Sequence, residues 1–423
     1  MEKLKEICAY IPTVGILVAL MTLALPYGSV QRIGLIVAGT GYLVDYIVNR
    51  RWQGWRWTRE KWVYVVLIAF YLCIPLRELF TPVYNWLFLS KLESYLPFLV
   101  VGVMGLMGFN YTLKLEYVAG AMSLACLGLG AVLVHAMVGA QAADFLTWQA
   151  KLNEMRIQYL NSHMVVNVYC NMTLIFIAWV LLESSCRAWY KWVLACVGIG
   201  IITGLVLTEG RTGQLTMMAL VPVFVAARFY KRSLRKWMVP ALMVALTGVG
   251  LLWYYNPRYH TQNPEDNPRI YIWHVGTEMV KERPIAGWGV SAARDEFIRR
   301  GQEDSDFMNH YLYEFINASN ERFGEVRLWI MHPHNVFLET TMELGIIGLL
   351  VFLLCLILPI CLLQIGHYRW YLAACLFVFA MQAMFESMGS CLLPIWVPLL
   401  TYIWRYNAAT RPSSLAQPSQ ELA

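Results

Sequence analysis

The sequence predicts an all-α, polytopic integral membrane protein of about twelve transmembrane helices with one large extramembrane loop. Three numbers carry that expectation: 58% of the residues are hydrophobic, only 14% are charged, and the mean hydropathy is +0.50. The apolar residues fall in long runs joined by short polar connections, a pattern that excludes an ordinary water-soluble domain.

Apolar runs begin near Cys8, Gln31, Trp62, Tyr95, Glu116, Met164, Trp192, Gln214 and Trp237, and again near Val336, Trp370 and Cys391. Each is long enough to cross a bilayer at roughly 20 residues per span. Residues 1–255 accordingly hold spans one to nine, 256–335 form the large loop, 336–406 hold spans ten to twelve, and 407–423 form a disordered tail rich in Pro, Ser and Gln. Met-Glu-Lys-Leu-Lys at the start resembles a signal peptide, but no small-residue cleavage site follows and the hydrophobicity continues. It reads as the first span.

The net charge of +6 arises from short basic clusters between apolar runs, which argues against nucleic acid as a partner. Arg50, Arg51, Arg56, Arg59 and Lys61 follow the second span, and Arg228, Lys231, Arg232, Arg235 and Lys236 follow the eighth. The positive-inside bias places both clusters, both termini and the tail in the cytoplasm. The odd-numbered connections then face outward, among them the turn 208–213 and the large loop. Of ten cysteines, Cys8, Cys73, Cys126, Cys170, Cys196, Cys355, Cys361, Cys375 and Cys391 lie in or beside apolar segments. They form no disulfide framework and no zinc spacing.

The large loop holds five of the eight histidines, His260, His274, His310, His332 and His334. At roughly 80 residues it far exceeds the usual connection of about 4 to 6, and such an excess is usually functional. Asn267-Pro268-Arg269 reads as a helix start, with Asn as N-cap and Pro at the first helical position. Ile270, Trp273, Thr277 and Val280 recur at spacings of three and four and define one face for the membrane or the bundle. Pro284 stops that helix, Gly287-Trp288-Gly289 reads as a tight turn, and a second helix is expected over Ser291–Arg300 with Gly301 as its stop.

Several side chains carry candidate chemistry. Arg269 lies in the first turn of a helix, where free N–H groups and the dipole favour an anion. Arg211 occupies an outward turn between two apolar spans, where a guanidinium needs an anion or an acidic partner. Phosphate binding and a structural ion pair are both open for each, with Glu209 the nearest acid to Arg211. His332-Pro333-His334-Asn335 runs straight into a membrane-length apolar helix, and an imidazole at a lipid–water boundary points to chemistry on a lipid-linked substrate. Taken alone, His334 reads rather as a capping or packing residue, and Asn335 as a helix N-cap. Glu339 and Glu343 share one helix face at i, i+4, with Arg322 or Arg327 as possible partners. Trp273, Trp288 and Trp329 suit either sugar stacking or interface anchoring. Glu265-Asp266 and Glu303-Asp304-Ser305-Asp306 offer hard oxygen ligands, but their polar flanks are those of solvated loops, and no metal is expected.

Four features in order resemble the O-antigen ligase and polymerase family: Gly210-Arg211-Thr212-Gly213 opening a span; Arg269 with Trp273, Pro284 and Gly287-Trp288-Gly289; His334-Asn335; and Glu343-Leu344-Gly345-Ile346-Ile347-Gly348. The resemblance covers roughly residues 208–350, and the run from His334 to Gly345 is its specific part. It implies a membrane-embedded glycosyltransferase fold of the C type. It also implies transfer of a glycan from undecaprenyl diphosphate on the periplasmic face of the bacterial inner membrane. Within the family, the length of the chain looks most like the ligases, whose acceptor is the lipid A-core; besides these substrates, only membrane lipids are expected as partners.

By the same resemblance, His334 is the general base and Arg211 and Arg269 the diphosphate clamp. The residues themselves add His332, Asn335, Glu339 and Trp273 as possible support, and no cofactor is expected. General chemistry agrees. Arginine binds phosphate oxygens bidentately and keeps its charge, and histidine titrates near the working pH. One direct displacement would invert the configuration at C1. A polymerase or a protein O-oligosaccharyltransferase shares this donor. A lipid-linked oligosaccharide transporter is the non-enzyme alternative, although no repeat of the transporter kind is visible.

Overall fold

The computed structural model describes residues 2–23, 28–50, 52, 55–81, 87–108, 113–139, 163–207, 210–229, 269–303, 333–362 and 368–385, with isolated helical positions between 239 and 254. Among them are thirteen helices and no strand. The first six are α1 (Glu2–Thr22), α2 (Gly28–Val48), α3 (Lys61–Glu78), α4 (Leu87–Ser94), α5 (Leu96–Met107) and α6 (Leu115–Gly139). Then come α7 (His163–Glu183), α8 (Ala188–Leu207) and α9 (Arg211–Phe229), followed by α10 (Arg269–Glu282), α11 (Val290–Glu303), α12 (Val336–Leu362) and α13 (Tyr368–Ala383).

Helices begin where the apolar runs begin, because length and hydropathy decide them. Three are long and apolar enough to cross a membrane: Val165–Glu183, Ala188–Val206 and Val336–Leu362. A fourth candidate is the pair α4–α5, bent by 47°; the break falls at Tyr95, just before Pro97. The expected twelve spans are thus not reached among the described residues. The run from Trp237 is represented by isolated helical positions, and the run from Cys391 and the tail lie outside the described residues.

The bundle core is aromatic. Phe70 on α3 lies 5.0 Å, centroid to centroid, from both Phe98 on α5 and Phe352 on α12. On the other side, α7 packs among α6, α8, α9 and α13, and its buried Trp179 stacks on Tyr371 of α13 at 4.7 Å. The outer faces are apolar as well: Ile7, Ile33, Ile36, Ile47, Trp192 and Ile199 are all exposed. Large contiguous apolar surface is what a helix shows to lipid.

The long apolar helix α12 is broken at Gly345, whose φ of 67° and ψ of −170° are not helical. An unbroken helix would send the N–H groups of Ile346 and Ile347 to the carbonyls of Met342 and Glu343. Instead Ile346 and Ile347 donate to Pro284 and Ile285 at 2.8 and 3.5 Å. The freed carbonyls of Met342 and Glu343 accept from Trp288 and Gly289 at 2.8 and 2.9 Å. The turn between α10 and α11 therefore supplies partners for both of these interrupted pairs. A Cβ on Gly345 would sit 2.0 Å from the Ile285 carbonyl oxygen, so the close approach needs glycine. The glycine motifs around 287–289 and 343–345 are two halves of one junction.

The C-terminus of α3 locks the same turn. Arg77 donates to the carbonyls of Ala286 and Gly287 at 2.7 and 2.8 Å. The neighbouring Glu78, 1% exposed, accepts from the first N–H groups of α11, Val290 at 2.9 Å and Ser291 at 3.2 Å. A carboxylate at a helix N-terminus satisfies orphan donors and meets the positive end of the dipole.

Two expectations for this region are corrected. The buried face of α10 is Ile272, Val275 and Met279, not Ile270, Trp273, Thr277 and Val280: Ile270 is 54% exposed and Thr277 is exposed, while Trp273 and Val280 are half-buried. The contact with α12 runs over Gly276, where a Cβ would meet Leu338 at 2.9 Å, and this rotates the packing line. The second helix runs through Gly301 to Glu303, because Gly301 is buried and Arg299 bonds Glu303 one turn on at 2.6 Å. The α10 helix is described from Arg269 and ends at Glu282, just before the expected stop at Pro284; the expected start at Asn267-Pro268 lies outside the described residues.

Candidate functional site

The site lies at the foot of α12. Asn335 caps the helix: its Oδ1 accepts from the N–H groups of Phe337 and Leu338, both at 3.0 Å. Immediately before it, His334 is half-buried with a φ of 49°. Only Arg50 shares that left-handed conformation among the described non-glycine residues. Such a backbone costs about 1–3 kcal/mol at a non-glycine residue, and surviving instances gather at functional positions.

Pro333, preceding His334, is tied to the α10 helix, because Trp273 donates its indole N–H to the Pro333 carbonyl at 3.0 Å. Phe385, just past α13, lies against the same helix: its ring is 6.3 Å from Trp273 and 5.5 Å from the Arg269 guanidinium carbon. Arg269 and His334 are thus brought to one region through Trp273.

Arg211 opens α9 behind Gly210, whose φ is 128°. Asn171 of the central helix α7 donates to the Gly213 carbonyl at 3.1 Å and holds this turn against the core. The α9 helix packs on α13, as α12 does. Arg211 and the His334 segment therefore belong to helices sharing α13 as a neighbour. His332, Glu209, Arg322, Arg327, Glu265, Asp266, Asp304 and Asp306 lie outside the described residues, and so do Asn267 and Pro268. Among the described residues no cluster of His, Cys, Asp or Glu has metal-binding geometry; Glu303 is engaged by Arg299.

Glu339 and Glu343 do share a helix face, but their common partner is Lys91 of α4. Its Nζ lies 2.7 Å from Glu339 and 2.9 Å from Glu343. This lysine was not among the expected site residues. The buried Glu343 and the partly buried Lys91 and Glu339 pair across two helices, Lys91 and Glu339 being 248 residues apart in sequence, a separation that local spacing cannot reveal. Lys91, Glu339 and Glu343 line a cavity of about 160 Å³ between α4, α11 and α12, together with Arg294, Phe297 and Pro333. Burial lowers the Arg294 guanidinium from its ordinary value, opposed by the nearby carboxylates of Glu339, Asp295 and Glu343.

On the outer side, α10 and α11 are joined by charge. Arg300 holds Glu282 bidentately, both bonds at 2.6 Å, and Glu296 at 2.6 Å. Hydrogen bonding from Arg299 and Arg300 pushes the Glu296 carboxyl down to about 2. Trp288 is packed between this network and the helix, with Arg283 at 3.9 Å over its ring and its indole N–H donated to the Met279 carbonyl at 2.9 Å. That makes Trp288 a structural tryptophan rather than a free sugar platform.

Parts of the chain are similar to known proteins. A protein of Rickettsia conorii named "Putative polysaccharide ligase" is 34% identical over 100 residues, 24% of this chain and 20% of the relative. One of the same name from Rickettsia bellii is 30% identical over 137 residues, 31% of this chain and 30% of the relative. The matched stretch spans a fifth to under a third of the length of these curated relatives. Residues 194–353, running from α8 into the middle of α12 and containing Arg211, Arg269 and His334, match the family described as O-Antigen ligase.

Proposed function

We propose that this protein is an O-antigen ligase of the bacterial inner membrane. It transfers O-antigen from undecaprenyl diphosphate to the lipid A-core on the periplasmic face, with inversion and without a metal. The single observation that carries the reading is His334. It has a left-handed backbone at the mouth of a membrane-length helix and lies within the segment matched to the ligase family.

In this reading His334 takes the proton from the acceptor hydroxyl as that oxygen attacks C1. The diphosphate leaves with the bonding electron pair, and Arg211 and Arg269 hold its negative charge. Asn335 serves by capping α12, and Trp273 by tying Pro333 to the helix of Arg269. Glu339 serves through Lys91. A metal is unnecessary because fixed guanidinium groups supply the electrostatic stabilisation that a divalent cation would.

The test is an in vitro assay with undecaprenyl-diphosphate O-antigen and purified lipid A-core, with and without EDTA, for the wild type and His334→Ala. Ladder-bearing lipopolysaccharide from the wild type alone, unaffected by EDTA, supports the ligase. Elongated lipid-linked glycan in place of that product identifies a polymerase, a glycosylated protein acceptor identifies a protein O-oligosaccharyltransferase, and movement of donor across vesicles without transfer identifies a transporter. Loss of activity in EDTA, restored by a divalent metal, overturns the metal-free mechanism.

A further inference from the structure

We propose that the cavity between α4, α11 and α12 is a binding subsite for a neutral sugar ring, that of the acceptor sugar whose hydroxyl is glycosylated. The inference rests on the transferase reading above and adds to it a place and a ligand class.

Charge balance selects the ligand. The cavity walls carry two cations, Lys91 and Arg294, and two carboxylates, Glu339 and Glu343. A diphosphate entering it would meet both carboxylates, and a metal ion would meet both cations. A sugar carries hydroxyls that donate and accept at once. The carboxylates accept its O–H groups, the cations donate to its oxygens, and the Ser90 and Ser94 hydroxyls in the same wall do either. The remaining wall is apolar, including the buried Val290, Phe297 and Met342, which suits the C–H face of a pyranose. A mostly apolar pocket with a few placed polar groups is how small polar ligands are oriented.

A stability role alone does not account for the charges. Setting a lysine with 13% side-chain exposure between two carboxylates costs desolvation that packed apolar residues would avoid.

The location fits an in-line displacement. Pro333 lines this cavity and, through its carbonyl, also accepts from Trp273 on the Arg269 side. The His334 segment therefore adjoins both the helix of the proposed diphosphate clamp and the cavity. His334 follows the lining residue Pro333 directly in sequence, which sets the proposed general base next to the cavity wall, with the donor C1 on the clamp side.

The experiment uses the full chain in lipid nanodiscs. Binding of D-glucose, D-galactose and N-acetyl-D-glucosamine, and separately of inorganic pyrophosphate, is measured by saturation-transfer NMR for the wild type, Ala293→Phe and Glu339→Gln. Ala293 lines the cavity and its phenylalanine fills the space; Glu339→Gln keeps the shape and removes a charged acceptor. At least one hexose is expected to bind the wild type and to weaken about tenfold or more in both variants, with pyrophosphate unaffected. In the transfer assay the acceptor KM rises while the donor KM holds. No hexose binding to the wild type, undiminished binding in a Glu339→Gln protein of native melting temperature, or a donor KM that rises instead overturns the subsite. If Ala293→Phe fails to fold, Glu339→Gln decides. Wild type that binds hexose but transfers to no acceptor fails the ligase reading while leaving the sugar subsite standing.

Discussion

Trp273 and Pro333, 60 residues apart in sequence, are joined by an indole N–H to carbonyl hydrogen bond of 3.0 Å. The bond ties the helix that Arg269 opens to the segment that carries His334. Trp273→Phe keeps the ring against Phe385 and removes only the donor. With a net hydrogen bond at ~1 kcal/mol, kcat of transfer is expected to fall roughly fivefold with little change in melting temperature. An unchanged kcat would show that the His334 segment is held in place without Trp273.

The two proposed roles separate in kinetics. His334→Ala is expected to lower kcat by roughly 10²–10⁴-fold, the usual contribution of a general base, while donor binding stays near wild type. Arg269→Lys keeps the charge and loses the planar fork, so it should remain impaired in both donor KM and kcat. Steady-state kinetics with the lipid-linked donor check both; full activity of Arg269→Lys would reduce that residue to a simple counter-charge.

The parts of the molecule governed by local pattern were legible in the sequence. Apolar runs locate the helices, Pro284 ends α10, and Asn335 caps α12 as its position before an apolar run implies. The parts made by long-range pairing were not. Glu339 and Glu343 look like surface carboxylates in search of an arginine, and their partner Lys91 comes from α4, on the far side of the chain. The same holds for Arg77 and Glu78, which reach 209 to 213 residues ahead to lock the 286–291 turn. Val336–Leu362 reads as one uninterrupted apolar helix. Its break at Gly345 becomes intelligible only once the Pro284–Gly289 turn supplies the missing bonds.

That junction predicts a strong sensitivity at Gly345. Any side chain there combines a φ of 67° with a Cβ placed 2.0 Å from the Ile285 carbonyl oxygen, which is backbone and cannot rotate away. Gly345→Ala should destabilise the protein by at least ~1–3 kcal/mol, lower the melting temperature in detergent, and raise hydrogen exchange at Trp288 and Gly289. A native melting curve would mean that the turn and α12 can separate without cost.

The triad predicts a rescue. Lys91→Met leaves the partly buried Glu339 and buried Glu343 carboxylates one turn apart without their cation, and breaking a buried pair costs about 3–5 kcal/mol. Neutralising both acids in the background of Lys91→Met, with Glu339→Gln and Glu343→Gln, should recover most of that loss in thermal stability. It should not restore transfer if the charges serve the substrate. Recovery of both stability and activity would assign the triad to folding alone.

The α10–α11 pair should loosen in acid. Glu296 accepts from Arg299 and Arg300, which holds its carboxyl at about 2, below the usual value of 4.5; hydrogen bonding from Arg300 likewise lowers Glu282. A carboxyl depressed in the folded state contributes stability that is present above its unfolded value and is lost as pH falls through its folded value. The Arg300 clamp therefore acts fully at neutral pH and weakens progressively from about pH 4.5 toward 2, the window set by the Glu296 shift. Hydrogen exchange of peptides within 269–303, corrected for intrinsic pH dependence, should show protection falling over that window. Arg300→Gln, which removes the bridge between Glu282 on α10 and Glu296 on α11, should lower protection at neutral pH and flatten the acid transition. If wild type and variant lose protection over the same pH range, the apolar contacts of Val275, Met279 and Phe297 hold the two helices together and the ion network is incidental.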